Sequence, residues 1–285
     1  MLVWQAVTDT TVISPPGERT RMDDTTVTAS TDGAVATVTL NRPDARNALS
    51  KATAEALTDR FESVADGDAR CVVLEGAGPA FCAGGDINAM LEGVDGDQPP
   101  AERVEQVVSS LHEAIRTVHS CPLPVVAEID GPAFGAGAGL ALACDLQVAS
   151  TDAQIGFGFR RVGLASDSGV SYFLPRIVGP NKAKELLFTG ELLDAEAAHE
   201  LGLFTQVFDA ESFDSAASAL VEDIASGPTV ALGHAKRLVD RSLDSSLEQA
   251  LENEATAQGL VFTTDDHEEG ATAFVENREP EFRGQ

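Results

Sequence analysis

Apolar and polar residues alternate with a period of two over residues 27–29 and again over 35–40, on either side of Thr31-Asp32-Gly33. That pattern predicts an antiparallel pair of strands. Asn41-Arg42-Pro43-Asp44 ends the second strand, and Ser50 is placed to cap a helix running to about residue 65. Residues 70–74 read as a buried strand entering the loop Gly76-Ala77-Gly78-Pro79. The period lengthens to that of a helix over 102–119 and stops before Pro122. A strand at 125–129 then runs into the glycine-rich turn 131–139, followed by a helix over 140–144. Strands at 146–149 and 154–157 precede helices at 168–174 and 182–187, and beyond residue 190 the chain reads as almost wholly helical, over 194–201, 211–226, 229–241 and 246–262. Strand, loop and helix follow one another as in βαβ units, so the expected class is α/β with a helical C-terminal part. Residues 1–25 show no sustained period and are expected to be a tail or a misassigned start, while 90–101, rich in Gly, Asp and Pro, is expected to be a loop.

Composition narrows the field. The 285 residues carry 46 acidic against 19 basic side chains, a formal charge of −27, yet 43% are hydrophobic, enough for a sizeable core. Disorder is therefore not the explanation of the charge, and nucleic acid is excluded as a partner for so acidic a surface. Four of the 19 basic residues are lysine (Lys51, Lys182, Lys184 and Lys236) and the others are arginine. Many carboxylates with few lysines resemble the proteins of salt-loving archaea, in which salt screens the charge. The uncharged run 131–144 is short of the ~20 apolar residues of a membrane span, and no basic head precedes an apolar block, so the expectation is a cytoplasmic protein with no membrane partner. Cys71, Cys82, Cys121 and Cys144 lack CxxC spacing and read as buried thiols; His112 and His119, seven apart on one helix face, lack a third ligand, so no metal is expected.

Two turns carry candidate chemistry: Ala80-Phe-Cys-Ala-Gly-Gly-Asp-Ile87 and 131–139. Each ends a strand and exposes backbone amides. If the N–H groups of Gly85 and Ala136 converge, they form an oxyanion hole, worth ~3–4 kcal/mol per donor. The competing reading is that these glycines only permit tight turns and close helix packing. A dinucleotide site is disfavoured, because the second turn is spaced GxGxG rather than GxGxxG.

Four segments, in order, resemble the crotonase (enoyl-CoA hydratase/isomerase) superfamily: Asn41-Arg-Pro-Asp-Ala-Arg-Asn-Ala-Leu49, Phe81-Cys-Ala-Gly-Gly-Asp-Ile87, Ile129-Asp-Gly-Pro-Ala-Phe-Gly-Ala-Gly137 and Thr264-Asp-Asp-His-Glu-Glu-Gly-Ala-Thr-Ala-Phe274. The resemblance covers the chain from residue 26 onward. It implies a crotonase-like ββα spiral core over 26–200 and a helical C-terminal trimerisation region over 201–285, assembled as a homotrimer or a dimer of trimers. It also implies an acyl-CoA thioester substrate, with coenzyme A part of the substrate rather than a cofactor. By the same matching Gly85 and Ala136 are the amide donors, Ala83, Asp86, Ile87, Asn88 and Phe159 line the CoA ester, and Arg283, after Phe282, meets a CoA phosphate. Asp86 reads equally as a helix N-cap.

Acid–base groups separate the reactions of that superfamily. Its hydratases carry one glutamate in the helix after the glycine turn and another about twenty residues later; here those positions are Gly139 and Phe159, neither of which transfers a proton. The segment Gly163 to Gly169, with Tyr172 to Gly179 after it, resembles phenylacetate-pathway and related double-bond isomerases, whose aspartate falls at Asp167. One carboxylate suffices for isomerisation, and Phe157 with Phe159 would dry the pocket around it. The plain alternative is that Asp167 only caps the helix after it. The primary expectation is an enoyl-CoA isomerase; a hydratase with a displaced carboxylate and a non-catalytic CoA-ester-binding subunit are the alternatives. Arg160 and Arg161 are open to CoA phosphates or surface carboxylates, Asp130 and Asp145 read as turn and capping residues, and Glu128 lies mid-strand without a role. Because CoA is itself anionic, its attraction must be local, through amides and arginines such as Arg42, Arg46 and Arg283.

Overall fold

The structure, a computed structural model, describes residues 26–87, 90–91 and 99–285. The expected N-terminal extension, Asn88 and the middle of the loop expected at 90–101 lie outside the described residues. Six strands, β1 (Val27–Asp32), β2 (Val35–Leu40), β3 (Cys71–Gly76), β4 (Val125–Ile129), β6 (Leu146–Ser150) and β9 (Gln206–Phe208), form the main sheet in that order, with β5 (Pro132–Phe134), β7 (Gln154–Gly156) and β8 (Leu192–Asp194) in a second sheet. The first pair is antiparallel and the rest of the main sheet parallel. The hairpin ladder runs on to Asp32–Val35, so the turn falls at Gly33-Ala34, after the expected position.

Both faces of the main sheet are buried, as βαβ connections require. Val72 and Leu74 of β3, with Val125 and Ala127 of β4, face the larger core, which holds helices α1 (Lys51–Ala65), α3 (Glu113–His119) and α4 (Ala136–Ala143). Cys71, Val73 and Val126 point the other way, onto α7 (Phe213–Ser226). Helix α1 forms where expected: Ser50 Oγ accepts the Thr53 N–H at 3.2 Å, and Ala54, Leu57, Phe61 and Val64 make its buried stripe.

The chain departs from expectation in four places. Helix α4 starts at Ala136 rather than Leu140, because its residues are buried all round and leave no amphipathic period to mark the start. The expected helices at 168–174 and 182–187 form one element, α5 (Val170–Thr189), broken at Gly179, where the backbone leaves the helix before Pro180. The helical stretch at 102–119 is α2 (Pro100–Val107), a π turn (Val108–His112) and α3, so α2 takes up the end of the expected loop. Two three-residue strands, β8 and β9, interrupt the expected helical tail around α6 (Ala195–Glu200), and β9 is the edge strand of the main sheet. From α7 onward the chain is helical through α8 (Thr229–Ser242), α9 (Leu247–Val261) and α10 (Asp265–Glu276).

The C-terminal residues fold back on the first half of the chain. Arg70 donates to Thr229 Oγ1 at 3.0 Å and to the carbonyls of Phe282 and Gly227 at 3.0 and 2.5 Å. All four cysteines are buried and free. Among the described residues no helix is long and apolar enough to cross a membrane, and no group of His, Cys, Asp and Glu could hold a metal ion.

Candidate active site

The two glycine turns are stitched together by backbone. Cys82 and Ala133 form a parallel bridge: the Cys82 N–H donates to Pro132 O at 3.2 Å and the Phe134 N–H to Cys82 O at 2.9 Å. Gly85 and Ala136 are each three residues beyond that bridge, so the register that pairs the strands also brings the two amides abreast. A second bridge, Leu49 with Gly85, uses Gly84 O and the Asp86 N–H, leaving the Gly85 N–H directed away from Leu49. On the other turn, the Gly135 N–H goes to Gly156 O, and Ala136 follows as the first residue of α4, whose N–H has no partner within the helix. Neither the Gly85 nor the Ala136 N–H has an acceptor among the described residues. A Cβ placed on Gly84 would lie 3.6 Å from Ala136 N, which fixes the two turns against each other. One free amide at a helix N-terminus, with a second from the neighbouring turn, suits an oxygen that gains negative charge.

A buried asparagine braces the first turn. Asn47, fully buried, donates from Nδ2 to Ala77 O at 2.9 Å and Ala80 O at 2.8 Å, and its Oδ1 accepts the Arg42 N–H at 2.8 Å. The segment 41–49 was matched as a motif; its physical role is this clamp. Arg42 adds a bond to Ala48 O at 2.7 Å and an ion pair with Asp86 at 3.1 Å. Arg42 and Asp86 thus tie the turn together, and the expected attraction of CoA by Arg42 draws on a cation already paired.

Asp167 is presented by a strained turn. Ser168 has φ +55 and Gly169 φ +75, two successive left-handed residues, a conformation that costs the serine about 1 kcal/mol. Asp167 Oδ1 accepts the Ser168 N–H at 2.6 Å and Asp167 O accepts the Val170 N–H at 3.1 Å, so the residue does brace the start of α5, whose N-cap is Gly169. Ser168 is fully buried, and its Oγ has no partner among the described residues. This turn packs on α4 at Gly139, one of the two positions at which the resemblance places a hydratase glutamate. A Cβ on Gly139 would fall 2.4 Å from Ser168 O and 2.8 Å from Ser168 Cβ. The other position, Phe159, is 8% exposed, and its ring edge lies 4.0 Å from where a Cβ on Gly135 would be. Backbone fills one glutamate position and an aromatic ring fills the other.

A cavity of about 360 Å³ opens beside Asp167, lined by His112, His119, Ser168, Tyr172 and Phe173 among others. His112 Nε2 is 2.5 Å from Asp167 Oδ1. The sequence offered His112 only as half of a histidine pair; its partner in that pair, His119, instead lies edge-on to Tyr172 and Phe173. Nothing local could have joined His112 to a residue 55 positions away.

The remaining candidates are placed as follows. Ala83 is half-buried, with its N–H on Arg46 O at 2.9 Å, and Ile87 is exposed; Asn88 lies outside the described residues. Met90 Cε occupies the space a side chain at Gly85 would need. Arg283 is exposed, its N–H held by Asp266 Oδ1 at 2.6 Å. Arg160 and Arg161 bind the carbonyls of Phe188, Thr189 and Gly190 at the end of α5, where cations offset the helix dipole. Asp130 accepts from Ser150 Oγ at 2.6 Å, and Asp145 joins the Val125 N–H at 2.7 Å to Lys236 at 2.8 Å, both structural as expected. Glu128 faces α7, where burial, then Glu75 and Asp214, push its carboxyl up to about 7. Burial likewise pushes the Cys82 thiol up to about 12, so it is inert.

Known proteins share both the sequence pattern and the fold of this chain. The sequence family described as enoyl-CoA hydratase/isomerase matches residues 30–285. The 1,2-epoxyphenylacetyl-CoA isomerase of Escherichia coli K12 is 35% identical over 251 residues, 88% of this chain and 95% of that protein. The crotonyl-CoA hydratase of Syntrophomonas wolfei is 31% identical over 250 residues, 87% of this chain and 94% of that one. Among solved structures, an enoyl-CoA hydratase/isomerase from Cupriavidus metallidurans CH34 superposes with a TM-score of 0.85 at 32% identity, covering 93% of this chain and 98% of that chain.

Proposed function

The chain belongs to the enoyl-CoA hydratase/isomerase family of the crotonase superfamily, and on that premise we propose that it moves the double bond of an enoyl-CoA thioester, with Asp167 as the acid–base group. Asp167 takes a proton from the α carbon of a 3-enoyl thioester. The C–H electron pair passes into the thioester, whose oxygen becomes anionic between the Gly85 and Ala136 amides. The carboxylic acid so formed then returns the proton to the γ carbon, giving the 2-enoyl product.

The observation that carries this reading is the occupation of both glutamate positions, by Ser168 against Gly139 and by Phe159, while Asp167 lines a cavity on the turn packed against α4. Neither position supplies a carboxylate for hydration by two glutamates, and at Gly139 Ser168 leaves no room for one. The exposed apolar residues Leu243, Leu247, Leu251, Leu260, Phe262 and Phe274 on and beside α8–α10 support assembly with further copies through the helical region.

Asp167→Asn keeps the shape of the side chain and removes its basicity. The expected outcome is CoA-ester binding within threefold of the parent and turnover of a 3-enoyl-CoA lower by roughly 10²–10⁴-fold. Full activity in that variant, or addition of water to crotonyl-CoA by the parent faster than any double-bond shift, would overturn the proposal.

A further inference from the structure

We infer that His112 is a positioning residue for Asp167, fixing Oδ1 so that Oδ2 alone meets the acyl chain; this rests on Asp167 being the base. Three observations converge on the pair. Oδ1 takes two contacts, His112 Nε2 at 2.5 Å and the Ser168 N–H at 2.6 Å. Oδ2 has no hydrogen-bond partner among the described residues, and Asp167 lines the cavity. The third is the π turn Val108–His112 between α2 and α3, which ends on His112 itself.

A π turn inserts one residue into a helix and rotates everything on one side of it by about 100° relative to the other. Helix α3 is held in phase by Ala114, Ile115 and Val118, buried in the core, whereas α2 buries no residue. His112 directly precedes α3 with helical backbone angles, so the buried residues of α3 fix its direction towards Asp167, and the insertion turns the exposed α2 before it. Such turns recur at functional sites because regular helix would be the more stable choice.

The surroundings single out this contact. Arg116, His119 and Tyr172 line the same cavity. Arg116 pairs with Glu113 at 3.0 Å, and Tyr172 lies under the Arg176 guanidinium, which pairs with Asp244. None of these groups contacts Asp167. With a carboxylate as partner, Nε2 carries the proton and donates it to Oδ1. The carboxylate is then held against rotation, and one oxygen both takes and returns the substrate proton.

The test compares His112→Leu, which removes the donor, with His112→Gln, which places an amide N–H near the position of Nε2. Each is assayed for kcat and KM, and for exchange of the acyl proton into D2O by NMR, a readout of the base whether or not the double bond moves. The Leu variant is expected to lose about tenfold in kcat and in exchange with KM within twofold, and the Gln variant to recover most of that loss. Equal rates in all three proteins, or equal losses in Leu and Gln, would overturn the positioning role. Exchange by the parent without isomerisation would sink the isomerase reading and leave the His112 comparison to be judged on exchange rates. No exchange by the parent would overturn both.

Discussion

The two glycine turns and the corner proposed for acid–base chemistry meet on α4 but are built from different materials. The turns are backbone: two parallel bridges, a buried asparagine and a helix start place the amides of Gly85 and Ala136 with no functional side chain involved. The corner is side chain hung on a strained loop, Asp167 beside Ser168, steadied by a histidine from another helix. Backbone hydrogen bonds depend little on residue identity, so the first region can serve any reaction that passes through a thioester enolate. The second changes its chemistry with every substitution.

Three substitutions would break or sharpen the division, in order of falling effect on turnover. Ala136→Pro removes one amide donor at the first helical position, where proline is tolerated. Turnover should fall about 10²–10³-fold while the fold survives, and an unchanged kcat would mean that this N–H does not face the oxyanion. Gly139→Ala forces a methyl into the space of Ser168 O. It should destabilise the protein by about 1–3 kcal/mol in chemical denaturation and lower turnover by displacing Asp167. A fully stable, fully active variant would show that the corner is not braced against α4.

Glu128→Gln lies outside both regions and should leave turnover alone. The native carboxyl titrates near 7 because it is buried beside Glu75 and Asp214, against 4.5 as its ordinary value. Between those values the folded protein holds a proton that the unfolded chain has released, so stability falls as pH rises through that window and levels off above it. The Gln variant lacks that slope. At pH 8 it should be more stable by on the order of 3 kcal/mol, less in high salt, with the gap closing as pH falls towards 4.5. Denaturation curves from pH 5 to 8 read this directly, and a change in kcat would show that the far face of the sheet reaches the site.

Much of this arrangement was legible in the sequence, for reasons that differ by region. Strands β2, β3 and β4 carry a period or a run of buried residues bounded by glycine and proline, β6 a buried run bounded by aspartates, and α1 has both its cap and its stripe. Strands β8 and β9 have three residues each, too few for any period, and the start of α4 is hidden because small residues buried on all sides have no face. The turns bearing Gly85 and Ala136 were reachable through their motifs and the turn bearing Asp167 through its neighbours. The contact of His112 was not, since it joins residues 55 positions apart. Asp86, Arg160 and Arg161 carry charges that sequence could assign either to substrate or to structure. The structure gives all three a structural partner.

The contact between Ser168 and Gly139 also links two positions that are far apart in the chain. Any side chain at 139 demands that the loop bearing Asp167 move, so neither position can be altered independently of the other. The packing of a single serine against a single glycine thus works as a latch: whatever replaces the glycine also shifts the aspartate beside it.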